Sequence, residues 1–283
     1  MSENTAVQTL PRVSVSTWSL KRTIGSPPIY AVGEDIPQAA HGNGELTLLE
    51  LPAKLAAFGI HTVEIVYFHL PTLERSYLLK LRQALDTAGV ELFSLLIDNG
   101  DITHPQYAER DLAWISSFIE VAGVLGAKNA RVIAGKSAPS EENLALSVRN
   151  MQRLLKVARE NNVHLMTENW FALLSTPSAV SYVLDNLAGK VGLCFDFGNW
   201  SGATKYADLQ AIAPYAQSCH TKAHFSDQGE IDREDYVRCL DITRAANFSG
   251  PYTLIYDGPN NDEWEGLTTE LAIVKPYLTG TLV

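Results

Sequence analysis

From residue 13 onward the chain alternates short β-branched or aromatic runs with longer segments whose apolar residues recur at helical spacing. Few folds accept such a pattern. Strands that each lead into a helix before the next strand build parallel βαβ units, because parallel neighbours need a long crossover. Strand runs are read at 13–18, 62–67, 90–97, 130–134, 163–168, 191–196, 217–222 and 252–257. The 3.6-residue periodicity predicts helices over 46–58, 72–88, 105–126, 141–161 and 177–187, with weaker patterns over 206–213, 233–246 and 263–278. Gly59, Gly89, Gly126 and Asn162 stand where a helix C-terminus needs a left-handed residue. The junctions Phe58-Gly59-Ile60, Ala88-Gly89-Val90 and Leu125-Gly126-Ala127 repeat helix, glycine and apolar strand at about 30-residue spacing, the size of one βα unit. No linker-like segment interrupts the series. Eight units in 283 residues predict a single-domain α/β chain folded as one closed (β/α)8 barrel, ordered from about residue 10 to 280. An open doubly wound sheet is the alternative. The least patterned stretch, 24–44, follows the first strand and is rich in Pro and Gly; in a barrel it is expected to be a mobile cover over the catalytic face.

Composition narrows the partners. With 46% hydrophobic and 19% charged residues the chain can bury a large core, which excludes disordered and low-complexity classes. A net charge of -10 opposes phosphate backbones and anionic membranes, so neither nucleic acid nor membrane is expected as a partner. The first ten residues lack a basic region followed by an apolar one, and apolar stretches break well short of the roughly 18 residues that span a bilayer. Cys194, Cys219 and Cys239 are odd in number and show no C-x-x-C spacing, which argues against a disulfide framework and for a reducing cytoplasm.

A barrel carries its active site at the C-terminal ends of its strands. Strand five ends in Met166-Thr167-Glu168-Asn169-Trp170 and strand six in Cys194-Phe195-Asp196-Phe197-Gly198-Asn199; strand seven holds Cys219-His220-Thr221-Lys222 and strand eight ends in Tyr256-Asp257-Gly258. Each residue alone has a plainer use as a helix cap, an ion-pair partner or a core histidine. Glu168, Asp196, His220 and Asp257 together, on four consecutive strands, would be costly to bury without a shared cation. Three carboxylates and an imidazole suit Mn2+, Mg2+, Co2+ or Zn2+ in an open site. Asp257 is read equally as a turn residue, since Asp-Gly-Pro is a common turn sequence. Trp18, Glu64, His69, Asp98 and His224 are candidates to line the same mouth, and Lys222 shares a strand face with His220 and could polarise a substrate carbonyl. Trp170, Trp200 and Trp264 follow strand ends and supply either an aromatic wall or helix packing. Gly135-Lys136-Ser137 is no P-loop, because the upstream glycine position is Ala130, and Asp196-Phe197-Gly198 lacks the other kinase motifs.

At these residues the chain resembles the xylose isomerase-like TIM-barrel superfamily, specifically its sugar phosphate isomerase/epimerase group. The resemblance runs through Gly59-Ile60-His61-Thr62-Val63-Glu64, Glu168-Asn169, Asp196 with Gly198-Asn199, and His220-Thr221-Lys222. It implies one divalent metal, most often Mn2+, held by Glu168, Asp196, His220 and a last-strand acid. It also implies a carbohydrate or related hydroxy-ketone as substrate, with Asn169 and Asn199 added to the substrate site. Three positions depart from the group: its eighth-strand glutamate falls near Ile255, leaving Asp257 as the nearest acid; its histidine after the sixth-strand aspartate is Asn199; and its aspartate after His-x-Lys is Ala223.

The expected chemistry is proton abstraction beside a carbonyl, with Glu168, Lys222 and Asp257 as catalytic residues and an enediolate as intermediate. Return of the proton gives isomerisation or epimerisation; loss of a β-substituent would give a dehydratase or deglycosidase. A non-catalytic sugar-binding barrel is the rival from another class, an endonuclease is disfavoured by Asn199 and the acidic charge, and homo-oligomerisation is left open.

Overall fold

The computed structural model describes residues 11–25, 27–37 and 43–279. Eight parallel strands close in sequence order into one barrel. They are β1 (Arg12–Ser16), β2 (Thr62–Val66), β3 (Glu91–Ile97), β4 (Asn129–Val132), β5 (His164–Glu168), β6 (Val191–Asp196), β7 (Ala216–Lys222) and β8 (Pro251–Ile255). The outer ring is α1 (Leu51–Phe58), α2 (Arg75–Ala88), α3 (Ala108–Leu125), α4 (Glu141–Glu160), α5 (Pro177–Asn186), α6 (Lys205–Ile212), α7 (Arg233–Ala245) and α8 (Glu263–Thr279). Both faces of the sheet are covered, which is why β2 and β6 are buried at every residue. The predicted glycine stops hold: Gly59 (φ 91°) and Gly89 (φ 65°) take the left-handed conformation at the ends of α1 and α2 and turn the chain into the next strand.

Element ends differ from the sequence reading where side chains intervene. Helix α1 starts at Leu51 rather than residue 46, because the Glu50 carboxylate accepts from the Thr47 amide and hydroxyl and closes a turn first. Strand β1 stops at Ser16, whose hydroxyl accepts from the Trp18 amide and starts a short 3-10 turn, Thr17–Leu20. Strand β8 stops at Ile255, its last partner being Lys222 of β7, so Asp257 lies beyond the sheet.

Much of the expected cover at 24–44 is described; Ser26 and residues 38–42 lie outside the described residues. Its neck is tight. The Leu46 amide donates to the Thr23 carbonyl at 3.0 Å, and a Cβ on Gly44 would sit 2.2 Å from the Gly25 nitrogen. Farther out, Tyr30 is buried and its carbonyl accepts from the Tyr67 hydroxyl and the Asn99 amide. Among the described residues no helix is long and apolar enough to cross a membrane, and the three cysteines are buried free thiols.

Candidate active site

Strand register builds the site. Between Leu193 and Cys194 the pairing of β6 with β7 shifts by one residue, so that Cys194 faces Ser218 and Asp196 faces His220. Without that extra residue in β7, the buried thiol of Cys219 would point where the imidazole now stands, because a one-residue slip swaps the two faces of a strand. Glu168 pairs in register with Cys194, which brings the ends of β5, β6 and β7 to one level.

The cavity at this end of the barrel has a volume of about 100 Å³. At its floor, His220 Nε2 donates to Glu64 Oε2 at 2.7 Å, which fixes the ring and turns Nδ1 toward Glu168 Oε2 (3.7 Å) and Asp196 Oδ2 (3.8 Å). The other Glu168 oxygen accepts from the Asn199 side chain at 2.7 Å. Asp196 Oδ1 accepts from the Gly198 and Asn199 amides, each at 2.7 Å, leaving Oδ2 for the cavity.

Arg131 of β4 is the residue that sequence reasoning missed. Its buried guanidinium lies 2.6 Å from Asp98 Oδ1 and 3.1 Å from Glu168 Oε2, with the Trp170 ring 5.4 Å away. The approach to Glu168 is close but badly aligned, so Glu168 Oε2 and Arg131 Nε remain without a hydrogen-bond partner. An arginine within the apolar run Ala130-Arg131-Val132-Ile133-Ala134 was the available signal, since a buried guanidinium needs carboxylate partners.

Electrostatics follow from burial and crowding. Burial raises the Asp196 carboxyl to about 6, helped by neighbouring Glu168 and opposed by His220 and Lys222. Asp98 is also raised by burial, against the pull of Arg131. Burial opposes charge on His220, but the Cys194 sulfur and the carboxylates of Glu64 and Glu168 outweigh it and hold the imidazole proton well above its usual range. Because burial itself pushes the Cys194 thiol up to about 11, the carboxylates exert that hold at neutral pH.

The donor set fits a divalent cation. A buried carboxylate oxygen without a hydrogen-bond partner, Glu168 Oε2, faces His220 Nδ1, and the 3.7 Å and 3.8 Å spacings there are slightly wider than the ~3.4 Å between ligands of a tetrahedral ion. The Glu64 carboxylate behind His220 is the orienting partner that metal-bound histidines use. Donor atoms of Glu168, Cys194 and His220 also lie within 4.8 Å of one another, so the described residues include a group able to hold a metal.

Among the residues picked out in the sequence, Trp18, Asp98, Glu168, Asp196, Asn199, His220 and Lys222 line the cavity, together with Trp170. Others stand elsewhere. Glu64 is behind His220. His69 bonds Thr17 through Nδ1 at 2.8 Å and lines a different pocket, beside Ile24 and Pro27. Asn169 is fully buried and braces the Asp196 backbone through both side-chain atoms. His224 is half exposed, 4.0 Å from Asp235. Trp200 donates to the Leu174 carbonyl in the core, and Trp264 packs on Phe58. Asp257 is not brought to the other acids: Ile255 holds the β8 position in the cavity wall, and the Asp257 carboxylate lies at the rim, 3.0 Å from Lys21 Nζ and 3.9 Å from Lys222 Nζ.

Comparison with known proteins agrees with this architecture. The family described as xylose isomerase-like TIM barrel matches residues 52–274. The chain is 30% identical over 170 residues to the "Putative hydroxypyruvate isomerase" of Streptomyces coelicolor, covering 53% of this chain and 61% of that protein, under two thirds of its length. Solved structures with the same fold include an L-ribulose 3-epimerase (TM-score 0.70, 16% identity, 96% of this chain and 95% of that one). Another is a xylose isomerase-like TIM barrel protein from Mycobacterium smegmatis in complex with magnesium (TM-score 0.66, 15% identity, 97% and 98%). Barrel closure, the clustering of Glu168, Asp196 and His220 at its C-terminal mouth, and a match over most of the sequence lead to one assignment: the chain belongs to the xylose isomerase-like TIM barrel family.

Proposed function

We propose that the protein is a divalent-metal-dependent isomerase or epimerase acting on a small sugar or related hydroxy-ketone. The observation that carries this reading is His220 Nδ1 lying 3.7 Å from Glu168 Oε2 and 3.8 Å from Asp196 Oδ2 in a small cavity that Lys222 also lines. Glu168, Asp196 and His220 would hold the ion, Mn2+ or Mg2+ suiting the hard oxygens and imidazole. When bound, the ion supplies Lewis-acid polarisation of a carbonyl and compensation for the negative charge that develops on substrate oxygen.

The chain's own residues do the rest. With Oε2 turned toward the ion, the Glu168 oxygen that Asn199 positions is the one left to take a proton from the carbon beside the carbonyl. Lys222 faces the same space and can donate to the substrate oxygen as the enediolate forms. Trp18 and Trp170 flank the opening and exclude water from the reacting carbon. The volume favours small substrates, since about 100 Å³ is less than the ~150 Å³ that holds a benzene ring. The relative described as a hydroxypyruvate isomerase supports a three-carbon hydroxy-ketone within that class. Asp257, held by two lysines at the rim, would enter only as an accessory acid.

Deuterium uptake provides the test. Protein loaded with Mn2+ is incubated in D2O with hydroxypyruvate and with D-erythrulose, and exchange of the carbon-bound protons is followed by NMR. Exchange is expected with native protein. Metal analysis of native protein, Asp196→Ala and His220→Ala should show the ion lost from both variants; equal metal content in all three would remove the site.

A further inference from the structure

All titratable groups of the cavity stand on one arc of the barrel. Asp98 follows β3, Arg131 is on β4, Glu168 and Asp196 end β5 and β6, and His220 and Lys222 are on β7. The remaining arc, β8 through β2, meets the cavity with Ile255, Ser16, Trp18 and Val66. Among the described lining residues, none on that arc is a carboxylic acid, an imidazole or an amine. The Ser16 hydroxyl, which accepts from the Trp18 amide, is a far weaker acid than these, and Ile255 is buried at the β8 position of the wall.

Within the charged arc the acids are not equivalent. Asp98 is held by Arg131 at 2.6 Å, and Asp196 spends one oxygen on two backbone amides. Glu168 alone has an oxygen positioned by a neutral side chain, Asn199 at 2.7 Å, while its other oxygen lies 3.1 Å from Arg131 Nε. We infer that a single base, Glu168, removes and returns the proton on one face of the substrate, so that the enzyme shifts a carbonyl between adjacent carbons and does not epimerise. This inference rests on the function proposed above.

The two reactions differ in what they ask of the walls. Epimerisation inverts one carbon: the proton leaves one face and a proton must arrive on the other, which needs an acid on each side. A carbonyl shift needs only one. Glu168 takes the proton from the hydroxyl-bearing carbon, the C–H electron pair becomes the carbon–carbon double bond of the enediolate, and the former carbonyl oxygen takes a proton from the Lys222 ammonium. The other hydroxyl then returns its proton to Lys222 as its C–O bond becomes a carbonyl, and Glu168 delivers its proton to the neighbouring carbon on the same face. One carbon is oxidised and its neighbour reduced, so no outside redox partner is required.

D-Erythrulose carrying carbon-13 at C1 separates the outcomes in a single four-carbon probe: a carbonyl shift to C1 yields an aldotetrose, epimerisation at C3 yields L-erythrulose with the label still at C1, and a carbonyl shift to C3 yields erythrulose with the label at C4. With Mn2+-loaded protein the expected product is one aldotetrose of a single C2 configuration, with C1-labelled L-erythrulose below a tenth of it. C1-labelled L-erythrulose at a comparable rate, or both C2 configurations, would overturn the one-face inference while leaving the isomerase/epimerase reading intact. If neither D-erythrulose nor hydroxypyruvate gives an isomerised or epimerised product or exchanges its carbon-bound protons in D2O, the proposed function falls and the inference with it. A gain-of-function arm guards the result: Ile255→Glu should raise L-erythrulose formation at least tenfold over native protein, whereas Ile255→Gln, of similar size, should not. Equal epimerisation in both variants would count against the wall's role.

Discussion

The two halves of the barrel mouth are built on opposite principles. From β3 to β7 the wall consists of charges that are tolerable only together: Arg131 offsets Asp98 and Glu168, and His220 is offset by Glu64, which reaches it from β2 beneath the cavity. From β8 to β2 it consists of side chains that would suit any core, Ile255 and Val66 among them, at 5% and 0% exposure. The charged half holds groups near reacting atoms at the cost of desolvating them, and the apolar half closes the space cheaply. A lost residue should therefore cost more in the charged half, both in turnover and in stability.

The strongest way to break the comparison is Glu168→Gln. It keeps shape and the Asn199 contact while removing the proposed base, and turnover should fall roughly 10²–10⁴-fold in a protein that stays folded by circular dichroism. Unchanged turnover would place the base elsewhere. Next, Arg131→Met strands two buried carboxylates and should destabilise the fold by about 3–5 kcal/mol in urea unfolding. Ile255→Val on the facing wall should cost only about 0.5–1.5 kcal/mol. Similar costs at the two positions would erase the distinction.

A buried acid away from the mouth sharpens it further. Glu270 of α8 is fully buried, both its oxygens lack a hydrogen-bond partner among the described residues, and burial raises its carboxyl well above the usual range. A folded-state pKa above the unfolded one means that the folded state holds the proton more tightly. Its contribution is thus fully present below the unfolded carboxylate pKa of about 4.3 and is lost as pH rises toward the folded value. Glu270→Gln should flatten that decline and add about 1–3 kcal/mol at pH 8, with little gain at pH 4. A loss of stability at pH 8 would show a partner that keeps Glu270 ionised. The smallest effect belongs to Asp257→Asn, which removes a rim pairing with Lys21 and Lys222 and should change stability by less than ~1 kcal/mol and leave metal affinity unaltered by calorimetric titration. A large loss of affinity would bring Asp257 back as a ligand.

Much of this was legible in the sequence, and the misses have physical causes. The alternation of runs predicts the closed barrel because strand and helix periods differ, and Gly59 and Gly89 mark where one gives way to the other. Glu168, Asp196 and His220 could be read because polar residues at strand exits need a shared purpose. Asp257 misled because the apolar run Leu254-Ile255-Tyr256 carries on past the last paired residue, and only pairing with β7 shows where β8 stops. Arg131 stayed hidden because its partners, Asp98 and Glu168, lie 33 and 37 residues away in sequence and meet it only when the sheet closes. Asn169 and His69 have the right chemistry, but neighbouring backbone and hydroxyl groups claim them.

The neck where Thr23 meets Leu46 and Gly25 touches Gly44 has a bearing on how such a barrel can diversify. The chain leaves the rim and rejoins it at nearly one point, and Tyr30 ties the excursion back to Tyr67 and Asn99. Doubling the length of such a segment costs only about 0.6 kcal/mol in closure entropy. The stem Thr23–Leu46 can therefore carry longer or differently composed inserts while β1 and α1 stay in place. Substrate preference can then be exchanged at the rim without renegotiating the charges that Arg131 keeps in balance below.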